Sequence, residues 1–339
     1  MFESWPLGAN FGVFAAAAGV VWFAGTRIAR YADAIAEKTG IGREVLGIVL
    51  LGGITSLPEL AVATTAAVAG HPALSVNDLL GSAAINVVII ALADAALGRD
   101  AITSVLASPG VLLQGVLGIV LLALVVGATM TSPLALAGAS AWTWLLVLGY
   151  AVSVWIIAKS HSKQAWTAAR RRRKAPADRE PAGALRPLVV RTALAGCAVL
   201  IAGFFLAKTA EAIAAQTGLG TSFIGAVLLA ASTSLPEVST VLGAVRLKRY
   251  EMAVSDIFGT NLFNVLIIFA VDVLYEGGPV LAEVGRFAGF GALLAIVLTA
   301  LYVVGMIERR DRTILRMGFD SLAAVCIYAA GVALLYHLR

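Results

Sequence analysis

The chain has 339 residues, of which 60% are hydrophobic and only 13% charged, and its mean hydropathy is +0.92. This composition excludes a water-soluble protein: polar surface is too scarce, and the repeated apolar runs of about 20 residues match the hydrocarbon thickness of a bilayer. The net charge of +5 gathers in a few short loops, the pattern that orients membrane spans, and needs no nucleic-acid partner to explain it.

Taken in order, hydropathy predicts an all-α polytopic membrane protein of about ten spans, near 10–28, 44–69, 75–97, 108–128, 134–158, 188–214, 222–245, 251–274, 287–307 and 318–338. The first apolar run has neither the basic region before it nor the cleavage site after it of a cleavable signal peptide. Cys197 and Cys326 both fall within spans, so no disulfide is expected. Residues 1–158 form a first five-helix half and 188–339 a second. Between them, 159–187 contains the run Arg170, Arg171, Arg172, Arg173, Lys174, then Pro176, Pro181 and Gly183. It reads as a basic cytoplasmic connector that sets topology or meets anionic lipid headgroups.

With the connector inside, alternation of ten spans puts Arg27, Arg30, Lys38, Arg43, Arg99, Arg246, Lys248, Arg249, Arg309, Arg310, Arg312 and Arg316 on the cytoplasmic side. The opposite loops at 71–74, 129–133 and 216–220 hold no Lys or Arg, and only Arg286 and Arg339 fall outside. Both termini are thus expected to be extracytoplasmic.

The two halves carry an internal repeat. An offset of 178 positions (237 − 59) aligns residues 32–94 with 210–272 without a gap, with about 25 identities in 63 pairs. Identity concentrates at polar positions that a packing core does not need. Five spans per half, an odd number, makes corresponding helices run in opposite directions. Inverted repeats of this kind place an ion site near the midplane, where the halves meet.

The chemistry centres on Thr55-Ser56-Leu57-Pro58-Glu59 and its copy Thr233-Ser234-Leu235-Pro236-Glu237. A glutamate in a membrane span is costly and points to function. Thr55, Ser56 and Glu59 share one helix face, as do Thr233, Ser234 and Glu237. Each proline bends its helix and frees a carbonyl, near Ile54 and Ser232, for which a cation is one partner. Two carboxylates with hydroxyl and carbonyl oxygens suit Ca²⁺ or Na⁺; with no His or Cys beside them, a soft metal is not expected. The next helix of each half adds Ser82 and Asn86, and Thr260 and Asn264, each pair one turn apart. These residues serve either as oxygen ligands or as interhelical hydrogen bonds. Gly81 and Gly259 permit close helix approach. Asp78 and Asp256 are expected to cap their helices, and Asp94 and Asp272 to line an ion pathway or an interface. Lys208 and Glu211 are placed to pair near a helix end. Tryptophans such as Trp5, Trp22, Trp142 and Trp155 are expected at interfaces or against lipid.

These paired motifs, G-T-S-L-P-E-like and then G-S-N-x-x-N-like in both halves, resemble the calcium/cation antiporter superfamily, and within it the microbial sodium/calcium exchanger-like proteins. The resemblance implies that Glu59 and Glu237 ligate Ca²⁺ and contribute to Na⁺ sites. It implies further ligands in Thr55, Ser56, Ser82, Asn86, Thr233, Ser234 and Thr260 and in the carbonyls of Gly52 and Ala230. The first and sixth helices would slide across the rest to switch access. Three departures stand out: Ile54 and Ser232 replace glycine before each T-S pair, Ala83 replaces an asparagine, and Asn264 stands where such exchangers often carry aspartate. Two formal negatives then balance one Ca²⁺.

The expected function is antiport of Ca²⁺ against Na⁺ by alternating access, in a prokaryotic plasma membrane, without a cofactor or an evident protein partner. Exchange of Ca²⁺ for H⁺ is the alternative. A cation channel fits the inverted repeat less well, and no hydrolase motif occurs, so an enzyme is not expected.

Overall fold

The computed structural model describes residues 2–39, 52–97, 101–106, 108–131, 134–160, 185–246, 248–309, 313–314 and 317–338. The helices are α1 Leu7–Thr39, α2 Gly52–Thr55, α3 Leu57–Val68, α4 Pro72–Leu97, α5 Ile102–Val105, α6 Pro109–Met130, α7 Ala141–Ser160, α8 Leu185–Thr217, α9 Thr221–Ile224, α10 Ala230–Thr233, α11 Leu235–Arg246, α12 Tyr250–Leu274, α13 Val280–Glu283, α14 Gly285–Glu308 and α15 Phe319–Leu338. A π-helical turn, Gly225–Leu229, joins α9 to α10.

Eight of these helices are long and apolar enough to cross a membrane, and the bent run from Thr221 to Arg246 makes a ninth. The predicted second span is described only from residue 52 onward; residues 44–51, most of the basic connector, and Lys and Arg positions including Arg43 and Arg310 lie outside the described residues. One boundary is corrected. The fifth span begins at Ala141 rather than near 134, because Ala135–Leu136 and Ala139–Ser140 pair as a small antiparallel hairpin through Ala137 and Gly138, both at positive φ.

The 178-residue register runs far beyond the motif region. It carries Leu7–Thr39 onto Leu185–Thr217, Gly52–Thr55 onto Ala230–Thr233, Leu57–Val68 onto Leu235–Arg246, and Ile102–Val105 onto Val280–Glu283. It also superposes the hairpin at 135–140 on the one at 313–318, and α7 on α15. Beyond residue 94 sequence identity fades while the element boundaries persist. Helix length is set by apolar span and turn position, which tolerate many residue choices.

Packing separates the helices into two bodies. The largest apolar cluster draws on α3, α4, α6, α7, α11, α12, α14 and α15, with Tyr302, Phe258, Leu79, Leu80, Leu121 and Leu122 at its centre, and contains no residue of α1 or α8. Those two helices pack along each other and on the motif helices through Phe14, Ala17, Val21, Leu206, Ala210 and Ile213. Their outer faces expose Phe11, Phe23, Leu194, Ile201 and Phe204, as expected for lipid-facing helices. Cys197 and Cys326 are both exposed and free.

The two bodies meet at glycines. A Cβ on Gly25 of α1 would lie 2.7 Å from Pro236 Cβ; a Cβ on Gly203 of α8, the same position 178 residues on, would lie 2.7 Å from Ala61 Cβ and 3.2 Å from the Pro58 carbonyl. Each outer helix thus crosses a motif helix, α1 that of the second half and α8 that of the first, with no room for a side chain.

Asp94 and Asp272, expected at an ion pathway or an interface, are buried and hold the inner body together. Asp94, at the end of α4, accepts the N–H of Ile102 (2.6 Å) and that of Gly318 (2.5 Å) at the entry to α15. Asp272, at the end of α12, accepts the N–H of Val280 (2.7 Å), the N–H of Ser140 (2.6 Å) and the hydroxyl of Thr143 (2.6 Å) at the entry to α7. Each carboxylate ties its own following turn to the last helix of the opposite half. Charge-assisted bonds of this length are among the stronger ones.

Candidate cation site

Both motif helices break at the serine. Ser56 (φ −77°, ψ 5°) and Ser234 (φ −79°, ψ 6°) leave the helical conformation identically, and the second break bends the path by 41°. Each proline then sits in the first turn of a new helix, where its missing N–H costs nothing. Each glutamate occupies that same first turn, where the helix dipole favours a carboxylate. The sequence therefore starts a helix inside the membrane with an acid at its positive end.

Glu59 and Glu237 are both 0% exposed, and within electrostatic reach of each other. None of their four carboxylate oxygens accepts a hydrogen bond among the described residues. Hydroxyls flank both acids: Thr233, from the opposite half, stands beside Glu59, and Thr55, from the opposite half, and Thr260, from the same half, stand beside Glu237. Those hydroxyls are already engaged. Thr55 Oγ1 and Thr260 Oγ1 are 3.2 Å apart, as are Ser82 Oγ and Thr233 Oγ1. These two contacts are images of each other under the repeat, and they lace α4 to α10 and α12 to α2.

Of the other expected ligands, Ser56 and Ser234 are buried, the Ser234 hydroxyl without a partner. Asn86 donates to Asn261 Oδ1 (3.1 Å), which leaves its own Oδ1 unpaired, while both amide atoms of Asn264 are buried and unpaired. Asn261 in turn donates to the Ala83 carbonyl (2.9 Å). Ala83 and Asn261 are the same repeat position, so the alanine that departs from the motif is where the other half's asparagine lands. The Ala230 carbonyl receives the Ser234 N–H (3.1 Å) and lies 3.3 Å from the Thr233 hydroxyl. Gly52 opens α2 at the corresponding register position. Gly81 bears out the close approach expected of it, for a Cβ there would collide with the Ala226 backbone in the π-helical turn.

Asp78 and Asp256 do not cap their helices. Each is the seventh residue of its helix and fully buried. Thr233 donates to Asp78 Oδ1 (3.3 Å), and Thr240 donates to Asp256 Oδ2. Their identity in both repeats, more than a turn inside the helix, was the available signal of an interior role. Thr240 carried no such signal, because its repeat partner is Val62.

Charge elsewhere is peripheral. Lys208 donates to Glu211 (3.0 Å), as its spacing suggests, and the other Glu211 oxygen meets His71 Nε2 at 2.7 Å. Among the described residues no three His, Cys, Asp or Glu side chains converge on one point. The oxygens gathered here are carboxylate, hydroxyl, amide and carbonyl, a donor set that would suit a hard ion.

Comparison with known proteins agrees with this architecture. A family model described as "Sodium/calcium exchanger protein" matches residues 9–159 and again 188–337. The chain is 26% identical over 308 residues to the "Putative antiporter CaxA" of Alkalimonas amylolytica, covering 88% of this chain and 92% of that protein. It is 26% identical over 141 residues to the "Sodium/calcium exchanger MaX1" of Methanosarcina acetivorans, covering 40% of each. The solved sodium-calcium exchanger NCX_Mj has the same fold, with a TM-score of 0.65 at 16% identity over 97% of this chain and 99% of that one.

Proposed function

The chain belongs to the sodium/calcium exchanger protein family, and we propose that this membrane antiporter exchanges Ca²⁺ for Na⁺ at one interior site bounded by Glu59 and Glu237. The observation that carries this reading is the pair of glutamates, both fully buried and without a hydrogen-bond donor among the described residues. A buried ionised carboxylate lacking partners costs several kcal/mol, and a bound cation removes that cost.

Coupling follows from the same energetics. The site accepts either one divalent or several monovalent cations, and moving it between the two sides while empty desolvates bare carboxylates, which opposes leak. The halves are proposed to be inverted repeats whose exchange of roles opens the site alternately to each side. The separate packing of α1 and α8 supports their assignment as the moving pair, with the glycine crossings as the sliding contact. The membrane is proposed to be a prokaryotic inner membrane, with both termini outside and the basic connector in the cytoplasm.

Counter-ion-dependent ⁴⁵Ca²⁺ flux in proteoliposomes tests the reading. An outward Na⁺ gradient is expected to drive uptake, and Glu59→Gln or Glu237→Gln to abolish it. Uptake driven by an imposed pH gradient and indifferent to Na⁺ would replace Na⁺ with H⁺ as the counter-ion. Near-normal flux in both single variants would remove the two-glutamate site.

A further inference from the structure

Six carboxylates are buried among the described residues: Glu59, Asp78, Asp94, Glu237, Asp256 and Asp272. They divide sharply by their surroundings. Asp94 and Asp272 are saturated with backbone and hydroxyl donors at 2.5–2.7 Å. The other four are not: both oxygens of each glutamate, Oδ2 of Asp78 and Oδ1 of Asp256 are buried without a partner. No Lys, Arg or His among the described residues is buried with them.

The unsatisfied four are also paired in space. Asp78 acts electrostatically on Glu59, and Asp256 on Glu237; the 178-residue register carries one pair onto the other. Asp78 and Ser82 lie one turn apart on α4, and the Thr233 hydroxyl stands between them, 3.3 Å from Asp78 Oδ1 and 3.2 Å from Ser82 Oγ, as well as beside Glu59. On the other side Thr240 contacts Asp256 and lies 3.0 Å from the Glu237 carbonyl.

We infer that Asp78 and Asp256 are cation ligands in their own right, each forming with its neighbouring glutamate an outer position for a dehydrated hard cation, Asp78 with Glu59 and Thr233, Asp256 with Glu237 and Thr240. The inference rests on the exchange reading of the two glutamates. It changes the charge available to cargo from two negatives to four, which offsets the neutrality of Asn264 and lets the site hold several cations at once. The two positions are not equivalent. Thr233 reaches Asp78 from the opposite half, whereas Thr240 belongs to the same half as Asp256 and has Val62 as its counterpart.

The test uses the full chain in proteoliposomes, with Ca²⁺ titrated at fixed Na⁺ in one arm and Na⁺ titrated at fixed Ca²⁺ in the other. Asp78→Asn and Asp256→Asn are each expected to raise the half-saturating concentration of at least one cation about tenfold, and the arm that moves identifies the ion held there. Asp78→Glu and Asp256→Glu, which keep the charge, are expected to retain flux with a smaller change in half-saturation. Half-saturation within twofold of the parent for both cations in both Asn variants overturns the inference, and where an Asn variant does not assemble its Glu variant decides by the same criterion. Flux abolished by Glu59→Gln while Asp78→Asn and Asp256→Asn behave as the parent defeats only this inference; normal flux in the Gln variants defeats the exchange reading beneath it.

Discussion

The hydroxyl oxygens of Thr55 and Thr260 lie 3.2 Å apart although 205 residues separate them. Their repeat images, Thr233 and Ser82, meet at the same distance. Two copies of one motif thus close on each other through the helix that follows in the opposite half, and each contact includes a hydroxyl beside a glutamate, Thr233 beside Glu59 and Thr55 and Thr260 beside Glu237.

Removing one of these hydroxyls should weaken cation binding without unfolding the protein. Thr260→Val keeps the shape and deletes an oxygen whose contribution is about 1–2 kcal/mol. The expected outcome is a half-saturating Ca²⁺ concentration raised about 5–30-fold, measured by ⁴⁵Ca²⁺ uptake, with melting temperature near that of the parent. An unchanged half-saturation would show that Thr260 only packs.

Asn264 has both amide atoms buried and unpaired, so an acid fits its position without breaking a bond. Asn264→Asp adds a negative charge to an interior that already buries Glu59 and Glu237, and like charges at close range do not all ionise together. The pH dependence of Ca²⁺ uptake is expected to differ between the variant and the parent. A pH profile superposable on the parent's contradicts a role for Asn264 in keeping its position neutral.

Gly203 lies against Ala61 and Pro58 with no space for a side chain. Gly203→Val overfills a contact between the two packing bodies, at a cost of about 1–3 kcal/mol. If α8 moves across that contact during the cycle, maximal flux should fall by about tenfold while half-saturation changes little. A shift in half-saturation with intact maximal flux would place the effect on the site instead.

Asp94 and Asp272 should behave as structural residues. Asp272→Asn exchanges a charged acceptor of three donors for a neutral amide, and bonds to charged groups contribute about 1.5–3 kcal/mol each. Thermal unfolding in detergent is expected to shift down by several degrees, with half-saturation of the surviving protein unchanged. The opposite pattern, stable protein with altered cation dependence, would return this pair to the ion pathway.

Much of this was legible in the primary structure, for identifiable reasons. Glu59 and Glu237 stand out because a carboxylate in an apolar run is conspicuous, and the repeat stands out because its polar positions are duplicated. The reach of the repeat beyond residue 94 was hidden, since the hairpins and last helices of the two halves share length and position but little identity. Asp78 and Asp256 were misjudged because nearness to a helix start suggests a cap, while the helices begin at Pro72 and Tyr250, more than a turn before each aspartate. Asp94 and Asp272 were ambiguous because their donors are backbone N–H groups 132 and 224 residues distant, at Ser140 and Gly318. Backbone groups leave no mark on a sequence.

The reciprocal bonds of Asp94 and Asp272 have an evolutionary corollary. Each half supplies the acid that secures the final helix of the other, so neither half completes its own fold. A lone half-length ancestor could satisfy the same bonds only by pairing with a second copy of itself, and opposite insertion of those two copies gives the inverted arrangement proposed here. Fusion through a basic segment would then fix one orientation and free the two sequences to diverge, as Ala83 and Asn261 have done.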